Sequence, residues 1–290
     1  MPVVVAAMLL LHRAVPGGSL LETFLPWLGL AIPFLLVVAV FRTLRSLIAV
    51  LLPLVIWLGM FGSRIVPAPD DVPHDLVAVQ HNVSDENPDP VGTVRTLIAS
   101  GPDFVGVEEI TPEVVPVYAA AFGERYPHFT VQGTVGLWSR YPLSSARLLD
   151  IRPGSLGPDW NRGLRAVAST PHGDVAVYVV HLPSVRLNPL GLESTRRDES
   201  ARKLTAALAA EPLERVLLLG DLNSTVDDRT LEPILARLNT AVSGFAFSWP
   251  AATPLARIDH VMAADMTVVS VRTLPRTGSD HLPVIARIRL

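Results

Sequence analysis

Polar side chains end several apolar runs of this sequence, at positions that a buried core would not accept. The run Val77–Asn82 ends in an amide, Val105–Glu109 ends in two carboxylates, and Val177–His181 ends in an imidazole. Because these runs are short, apolar and rich in β-branched residues, they are predicted to be buried strands. Carboxylates, amides and imidazoles together at strand ends predict a site for acid–base chemistry and cation binding.

Two further segments carry groups of the same kind. The next apolar run ends in Asp221 and Asn223, which lie two residues apart and therefore point to one side of an extended segment. Asp259 and the pair Asp280-His281 add two carboxylates and an imidazole. Because the chain has no cysteine, this oxygen-rich set suits Mg²⁺ or Mn²⁺ better than zinc.

The elements that must position these groups follow from the hydrophobic pattern. Strands are predicted at residues 75–83, 104–110, 215–219, 257–263 and 284–290, with a hairpin at 165–170 and 174–181. Helices are predicted at residues 93–99, 113–122, 193–210 and 231–238. A hairpin among strand–helix units implies mixed sheets with helices outside them.

The groups also occur in the order typical of a known superfamily. Over about residues 75–290 the chain resembles the endonuclease/exonuclease/phosphatase superfamily of metal-dependent phosphoesterases. Six motifs carry the resemblance: Asn82, Val107-Glu-Glu-Ile110, His181, Gly220-Asp-Leu-Asn223, Ile258-Asp-His260 and Ser279-Asp-His281. Glu108 and His260 depart from the family, which often has Gln at the first position and an aromatic or amide residue at the second. The resemblance implies an α/β fold, a four-layered α/β sandwich of two mixed β-sheets flanked by helices.

The resemblance further implies a role for each group. Glu109 is expected to be the principal metal ligand, with Asn82 and Asp280 as its neighbours in the metal site. The expected cofactor is Mg²⁺ or Mn²⁺, because carboxylate and carboxamide oxygens are hard ligands.

Five residues are expected to be catalytic. Asp221 aligns and deprotonates the attacking water, and Asn223 holds a phosphate oxygen. Asp259 orients the imidazole of His281, and His181 donates to the phosphoryl oxygens. The sequence has no Gly-x-Ser-x-Gly motif, and this chemistry needs no covalent nucleophile.

Other polar residues are weaker candidates. Arg186 and Arg197 are candidates to contact a pyrophosphate, although a solvated helix start explains Arg197 equally well. Glu108, His260 and His81 each adjoin a site residue, so alternation along a strand turns them away and predicts structural roles. Three isolated tryptophans are predicted to pack in the fold, with the lining of a lipid or base site as the alternative: Trp138, Trp160 and Trp249.

Residues 1–66 form an apolar segment with five charged side chains: Arg13, Glu22, Arg42, Arg45 and Arg64. Two uncharged stretches near residues 23–41 and 46–63 each match a hydrocarbon core of about 30 Å and are predicted transmembrane helices. Residues 1–15 are long enough only for a partial third span. A buried helical hairpin in a soluble core is the alternative, and helices that are apolar on every face argue against it.

The charges of this segment predict its orientation. Arg42 and Arg45 lie in the loop between the two predicted spans, and short basic loops stay in the cytoplasm. Arg13 and Arg64 lie on the opposite side and weaken this bias. We expect a multi-pass protein of the cell membrane, with a linker at residues 67–74 and an extracytoplasmic catalytic domain at residues 75–290.

Composition excludes several classes of protein. A chain of 290 residues without cysteine is neither a disulfide-stapled miniprotein nor a cysteine-ligated metal protein. Residues 1–66 contain four of the 24 basic and one of the 27 acidic residues, so residues 67–290 have a net charge of −6. Nucleic-acid binders present a basic surface, so nucleic acid is not an expected partner.

The expected substrate is a phosphorylated lipid. Short N-terminal spans before an extracytoplasmic catalytic domain resemble the VanJ-type membrane phosphatases associated with teicoplanin resistance, which act on undecaprenyl pyrophosphate. Segments 220–228 and 181–186 are similar to that branch. Three alternatives stay open, namely a membrane-anchored nuclease, a phospholipase or sphingomyelinase, and a catalytically inert binding domain. No protein partner follows from the sequence.

Overall fold

The computed structural model describes residues 1–15, 18–69, 71–188 and 191–290. Helices and strands are numbered along the chain. Four helices precede the first strand: α1 (Pro2–Leu11), α2 (Ser19–Thr23), α3 (Ala31–Val40) and α4 (Leu44–Ile65). Two 3₁₀ helices, His12–Ala14 and Leu25–Leu30, connect the first three of them.

The first sheet has six strands, of which one neighbouring pair is parallel. In spatial order they are β12 (Thr267–Thr273), β13 (Val284–Arg289), β1 (Leu76–Asn82), β2 (Phe104–Glu108), β4 (Val135–Ser139) and β3 (His128–Gln132). Strands β1 and β2 are parallel, and the other neighbours are antiparallel. The carboxyl ends of β1 and β2 therefore meet at one edge.

The second sheet has five strands and is also mixed. In spatial order they are β11 (Asp259–Ala264), β10 (Val216–Asp221), β7 (Gly173–His181), β6 (Gly163–Thr170) and β5 (Leu143–Leu148). Strands β7 and β10 are parallel, and the other pairs are antiparallel. Two short strands, β8 (Arg186–Asn188) and β9 (Gly191–Glu193), form a separate antiparallel pair.

Helices cover the outer faces of both sheets. Helices α5 (Pro90–Ile98) and α6 (Val115–Phe122) pack on the first sheet, and α7 (Thr195–Ala209) and α8 (Glu232–Leu235) pack on the second. Alternate residues of one strand serve two cores: Val177 packs between the sheets, and Tyr178 packs in the core that contains α7. This is why the strand sequences are apolar without alternation. The predicted fold of two mixed sheets flanked by helices is confirmed.

All the predicted strands and helices are present with shifted ends, except that the predicted helix 231–238 shrinks to the four residues of α8 after a 3₁₀ turn at Arg229–Leu231. The strands that the sequence did not indicate are β3, β4, β5, β8, β9 and β12. Strands β3 and β5 lie at sheet edges and are half-buried or exposed. Such strands do not carry the continuous apolar run by which the others were found.

The N-terminal helices pack on one another. Helices α1, α3 and α4 share a small apolar core that includes Leu9, Leu35 and Phe61. By length and composition, α4 is the one helix within the described ranges that is able to cross a membrane, and it contains the predicted span at residues 46–63.

The predicted helix near residues 23–41 is present as one helical run, Leu25–Val40, which begins as a 3₁₀ helix and continues as α3. At about 2.0 Å per residue in the 3₁₀ part and about 1.5 Å per residue in α3, this run extends about 27 Å. Pro26 and Pro33 lie in the first turns of its two parts. A missing backbone N–H costs least in a first turn, where it has no intrahelical partner.

Candidate active site

Three of the predicted site residues lie side by side in the second sheet. His181 ends β7, Asp221 ends β10 and Asp259 begins β11. Asp221 is in register with His181 on one side and with Asp259 on the other. Residues in register on neighbouring strands project to the same face, so the sheet itself builds this row. All three side chains are buried.

A second group comes from the first sheet and joins the row. Asn82 ends β1, and its Nδ2 donates to Oδ2 of Asp221 at 3.0 Å. The backbone N–H of Asn223 donates to Oδ1 of Asp221, also at 3.0 Å. Each carboxylate oxygen of Asp221 thus has its own donor, which fixes the carboxylate in one orientation.

His281 and Asp259 form a buried pair. Nδ1 of His281 lies 2.8 Å from Oδ2 of Asp259, and Nε2 of His281 lies 3.9 Å from Oδ2 of Asp221. Burial opposes a charge on His281, but the two carboxylates outweigh it and raise the pKa of the imidazole to about 10. Asp259 is also buried, yet the charged His281 holds the pKa of its carboxyl below the ordinary value. The pair is therefore an imidazolium beside a carboxylate.

Burial has opposite consequences for the other two members of the row. It raises the pKa of Asp221 to about 7, although the charge of His281 opposes this rise. Burial and the neighbouring Arg162 lower the pKa of His181, so this imidazole is neutral. Nη1 of Arg162 lies 3.1 Å from Nδ1 of His181. The site thus holds a carboxyl that titrates near neutral pH beside a neutral and a charged imidazole, a combination suited to proton transfer.

Glu109 follows β2 in a left-handed backbone conformation, with φ of 60°. A non-glycine residue pays for this conformation, and such strain is concentrated at functional sites. The turn directs Glu109 into a pocket of about 510 Å³, which Asn82, Asp221 and Asp280 also line. The Glu109 carboxylate is 29% exposed and lies 3.9 Å from Nε2 of His181. No hydrogen-bond donor contacts this carboxylate within the described part of the chain.

The donor set of the pocket fits a hard divalent cation. Glu109 and Asp280 present carboxylates, and Oδ1 of Asn82 accepts one backbone N–H and keeps a second lone pair. Asp221, Asp259 and His281 also have ligand atoms within 4.8 Å of one another. Their closest pair of atoms is already engaged in the hydrogen bond between His281 and Asp259. Among the described residues no donor contacts the carboxylate of Glu109, so Glu109 is a better candidate for a metal ligand than Asp221 or Asp259.

Strand alternation predicted that Glu108 faces away from the site, but its side chain lies between the two sheets beneath the site. It is fully buried, and Nε2 of Gln80 donates to its Oε2 at 2.6 Å. A Cβ on Gly106, two residues earlier, would lie 2.9 Å from Leu219 of the other sheet, so this face of β2 looks into the space between the sheets. Burial and the charges of Asp259 and Asp221 raise the pKa of Glu108, which is therefore protonated beneath the site.

Two other residues, Asn223 and Arg162, complete the polar lining of the pocket. Asn223 has φ of 47°, and its Nδ2 donates to the backbone oxygen of Leu182 at 2.8 Å. Arg162 lines the pocket and was missed, because a lone arginine before a strand carries no periodic or spacing signal. Arg186 is exposed and does not line the pocket, in contrast to its predicted phosphate contact.

Arg197 also lies outside the pocket. It is 1% exposed, and its Nη1 lies 3.0 Å from Oδ2 of Asp228. Its guanidinium also donates to Ser19 and to the backbone oxygen of Asn223. Because these partners occupy Arg197, it supports Asn223 from behind and does not contact substrate directly.

The neighbouring histidines are buried as expected. Burial lowers the pKa of both His81 and His260 to about 3, so each is neutral. Trp138 is buried and stacks on Phe122, and Trp160 packs beside the core of the second sheet. Trp249 differs from the prediction, because it lines the pocket.

The N-terminal segment supplies one wall of the pocket. Four of its residues line the pocket together with the site residues above: Ser19, Leu20, Thr23 and Phe24. Sequence patterns could not indicate this placement, since these residues precede the first site residue, Asn82, by 58 to 63 positions. The pocket is therefore polar at its base and partly apolar at this wall.

Comparison with known proteins identifies the family of the chain. A family model described as the endonuclease/exonuclease/phosphatase family matches residues 74–281. No curated protein sequence matches the chain.

Solved structures show the same fold. Sphingomyelinase C from Streptomyces griseocarneus is 22% identical, with a TM-score of 0.55 over 74% of this chain and 99% of the other. A Staphylococcus aureus beta toxin mutant with bound magnesium ions is 16% identical, with a TM-score of 0.59 over 73% and 99%. D. rerio TDP2 complexed with a single-strand DNA product is 16% identical, with a TM-score of 0.59 over 74% and 99%.

Proposed function

Because the chain belongs to the endonuclease/exonuclease/phosphatase family, we propose that it is a membrane-anchored, divalent-metal-dependent phosphoesterase acting on phosphorylated lipids. It hydrolyses a phosphate or pyrophosphate ester at the outer face of the membrane. Undecaprenyl pyrophosphate, the substrate expected for a VanJ-type branch, is the first lipid to test.

The observation that carries this proposal is the N-terminal wall of the pocket. Leu20 and Phe24 line the same cavity as Glu109, Asp221 and His281. They belong to the apolar segment whose α3 and α4 expose large side chains such as Phe34 (68%) and Val55 (66%). Exposed apolar surface of this extent favours contact with lipid. A substrate with an apolar tail and a phosphorylated head fits a pocket built from both regions.

Polar contacts hold this wall against the catalytic domain. We call residues 227–232 the docking segment, because four of its side chains contact the N-terminal segment. Arg229 pairs with the buried Glu22, and Asp228 accepts from the hydroxyl of Ser19 at 2.6 Å. The other two pairs are Arg64 with Asp227 and Arg13 with Glu232.

The proposed chemistry begins with the cation and the water. Glu109, with Asn82 and Asp280, would hold Mg²⁺ or Mn²⁺, and the ion would supply positive charge against the phosphoryl oxygens. Asp221 is held by two hydrogen bonds and accepts the proton of the attacking water.

The remaining residues act on the phosphoryl group. His281, charged by its pairing with Asp259, donates a hydrogen bond where negative charge develops. His181 is neutral and Arg162 is cationic, and both line the pocket where a phosphate oxygen would lie. Asn223 offers a side-chain amide to the same group.

The test uses the full chain in liposomes with Mg²⁺, Mn²⁺ or EDTA. We expect phosphate release from undecaprenyl pyrophosphate that EDTA abolishes. Asp221→Asn, Asp259→Asn and His281→Ala should each lower turnover by about 10²-fold or more. Sphingomyelin and supercoiled plasmid, incubated in parallel, should be cleaved slowly or not at all.

The proposed role of the N-terminal wall of the pocket in lipid binding needs its own control. Phe24→Ala should raise the KM for the lipid and leave hydrolysis of a water-soluble short-chain pyrophosphate ester unchanged. Phe34→Ala, the same change on the exposed face of α3, should alter neither activity. Rapid metal-dependent nicking of plasmid with background phosphate release would establish the nuclease alternative instead. Phosphocholine release from sphingomyelin would establish the sphingomyelinase alternative.

A further inference from the structure

A second cavity of about 250 Å³ lies between the end of α4 and the catalytic domain. Met60, Ser63 and Arg64 of α4 line one side, and Val242 and Arg257 line the other. It shares no lining residue with the pocket of the candidate active site. The proposed reaction therefore makes no use of it.

Arg257 is a buried cation that this cavity leaves unbalanced. Arg257 is only 5% exposed, and its Nη1 has no hydrogen-bond partner among the described residues. Asp227 favours the charge on Arg257 but is held by Arg64 through hydrogen bonds of 2.7 and 3.1 Å. Burial and Arg64 lower the pKa of Arg257 to about 10, so the guanidinium is charged at neutral pH.

A charged guanidinium in a cavity calls for an anion. Burying an unpaired charge is costly, and a phosphate oxygen pair matches the fork of a guanidinium. The pair of Arg64 and Asp227 is neutral, so the cavity carries one positive charge, which a phosphodiester balances. Val242, which lines the cavity, is 74% exposed, and Met60 of α4 adds a second apolar side chain to the lining. This apolar surface suits the acyl chains of a lipid.

We infer that this cavity binds a phosphate group, with Arg257 as its principal cation and the Ser63 hydroxyl as a further donor. The apolar surface beside it favours the headgroup of an anionic phospholipid over free phosphate. The inference concerns anchoring of the protein and is independent of the proposed reaction.

The experiment compares three forms of the full chain in nanodiscs of phosphatidylcholine with added phosphatidylglycerol. Native mass spectrometry should find phosphatidylglycerol retained by the wild type, and retention about tenfold weaker in Arg257→Met. Arg202→Met removes an exposed arginine of α7 and should behave as the wild type does. Equal retention by Arg257→Met and the wild type would overturn the inference.

A second measurement identifies the source of the phosphate and does not need the variant to fold. Thermal unfolding of the wild type should occur at a higher temperature with phosphatidylglycerol than with phosphatidylcholine alone. A rise with inorganic phosphate in detergent, without retained phosphatidylglycerol, would support the phosphate site and assign it to the free anion. Equal unfolding temperatures under all these conditions would show that Arg257 is only structural.

Discussion

The two adjacent carboxyls at the end of β2 differ in charge, and this difference decides what each contributes. Glu109 faces the pocket through its left-handed backbone, whereas Glu108 is buried and protonated beside Gln80. A protonated carboxyl resembles an amide in shape and charge, and the family often has Gln at the position of Glu108. Which of the two carboxyls reaches the pocket thus depends on one backbone angle.

This difference predicts unequal effects of the same substitution. Glu109→Gln removes the charge that faces the cation and should lower turnover by about 10²-fold, with partial recovery at high Mg²⁺. Glu108→Gln should be nearly silent, because the carboxyl it replaces is neutral. Steady-state kinetics over a range of Mg²⁺ concentrations measures both. Equal losses in the two variants would mean that Glu108 carries a functional charge.

The pair of His281 and Asp259 predicts how stability depends on pH. The pKa of His281 is raised from about 6.5 to about 10 in the folded protein. Its contribution to stability is therefore complete below pH 6.5 and is lost as the pH rises through 10. In EDTA, the unfolding temperature of the wild type should fall by roughly 5 °C between pH 6.5 and 9.5. In His281→Gln this fall should be much smaller, and an identical pH profile would contradict the assignment.

At the scale of elements, α2 links the N-terminal segment to the catalytic residues. Ser19 donates to Asp228 and accepts from Arg197, which in turn donates to the backbone oxygen of Asn223. Glu22 is fully buried and contacts His12 and Arg229. The position of α2 at the pocket therefore depends on buried polar contacts with the docking segment.

Breaking one of these contacts should slow hydrolysis of the lipid without slowing hydrolysis of a soluble substrate. Glu22→Gln leaves Arg229 without its charged partner, and because the Arg229 side chain is 35% exposed the change should cost about 1 kcal/mol. We expect about tenfold slower lipid hydrolysis, unchanged hydrolysis of a soluble pyrophosphate ester, and faster hydrogen exchange at residues 19–23. Glu232→Gln breaks only the exposed pair with Arg13 and should have little effect. Equal loss on both substrates would assign Glu22 to folding alone.

At the scale of the whole molecule, the structure divides the arginines of residues 1–66 into two groups. Arg13 and Arg64 are paired with carboxylates of the docking segment. Arg42 and Arg45 lie at or near the turn between α3 and α4, without an ion pair to any described residue. Arg13 and Arg64 are therefore engaged with the catalytic domain, whereas Arg42 and Arg45 are exposed. We propose that the loop with Arg42 and Arg45 lies in the cytoplasm and the catalytic domain outside it, because short basic loops stay in the cytoplasm.

Reporter fusions test this orientation. Alkaline phosphatase fused after Leu290 should be active outside the cell, and the same enzyme fused after Arg45 should be inactive. Replacing Arg42 and Arg45 by Glu should lower the activity of the first fusion, because it removes the basic loop. Activity of the second fusion alone would contradict the proposed location and the outer-face substrate with it.

The sequence alone determined the fold class and the polar residues at the strand ends. Buried strands are recognisable as continuous apolar runs, and the polar residues that end them stand out against a core that excludes unpaired polar groups. The register of parallel and antiparallel strands then brings His181, Asp221 and Asp259 into one row. Edge strands such as β5 escaped prediction because exposure removes that pattern.

Only the tertiary structure decided which groups face the pocket and which are occupied elsewhere. Alternation failed at Glu108, because a positive φ at Glu109 turns the chain at that point. Arg197 is occupied by Asp228, and the apolar wall comes from Phe24, far away in sequence. These outcomes depend on contacts between segments that are distant along the chain. Local propensity and side-chain periodicity describe only neighbouring residues, so neither carries that information.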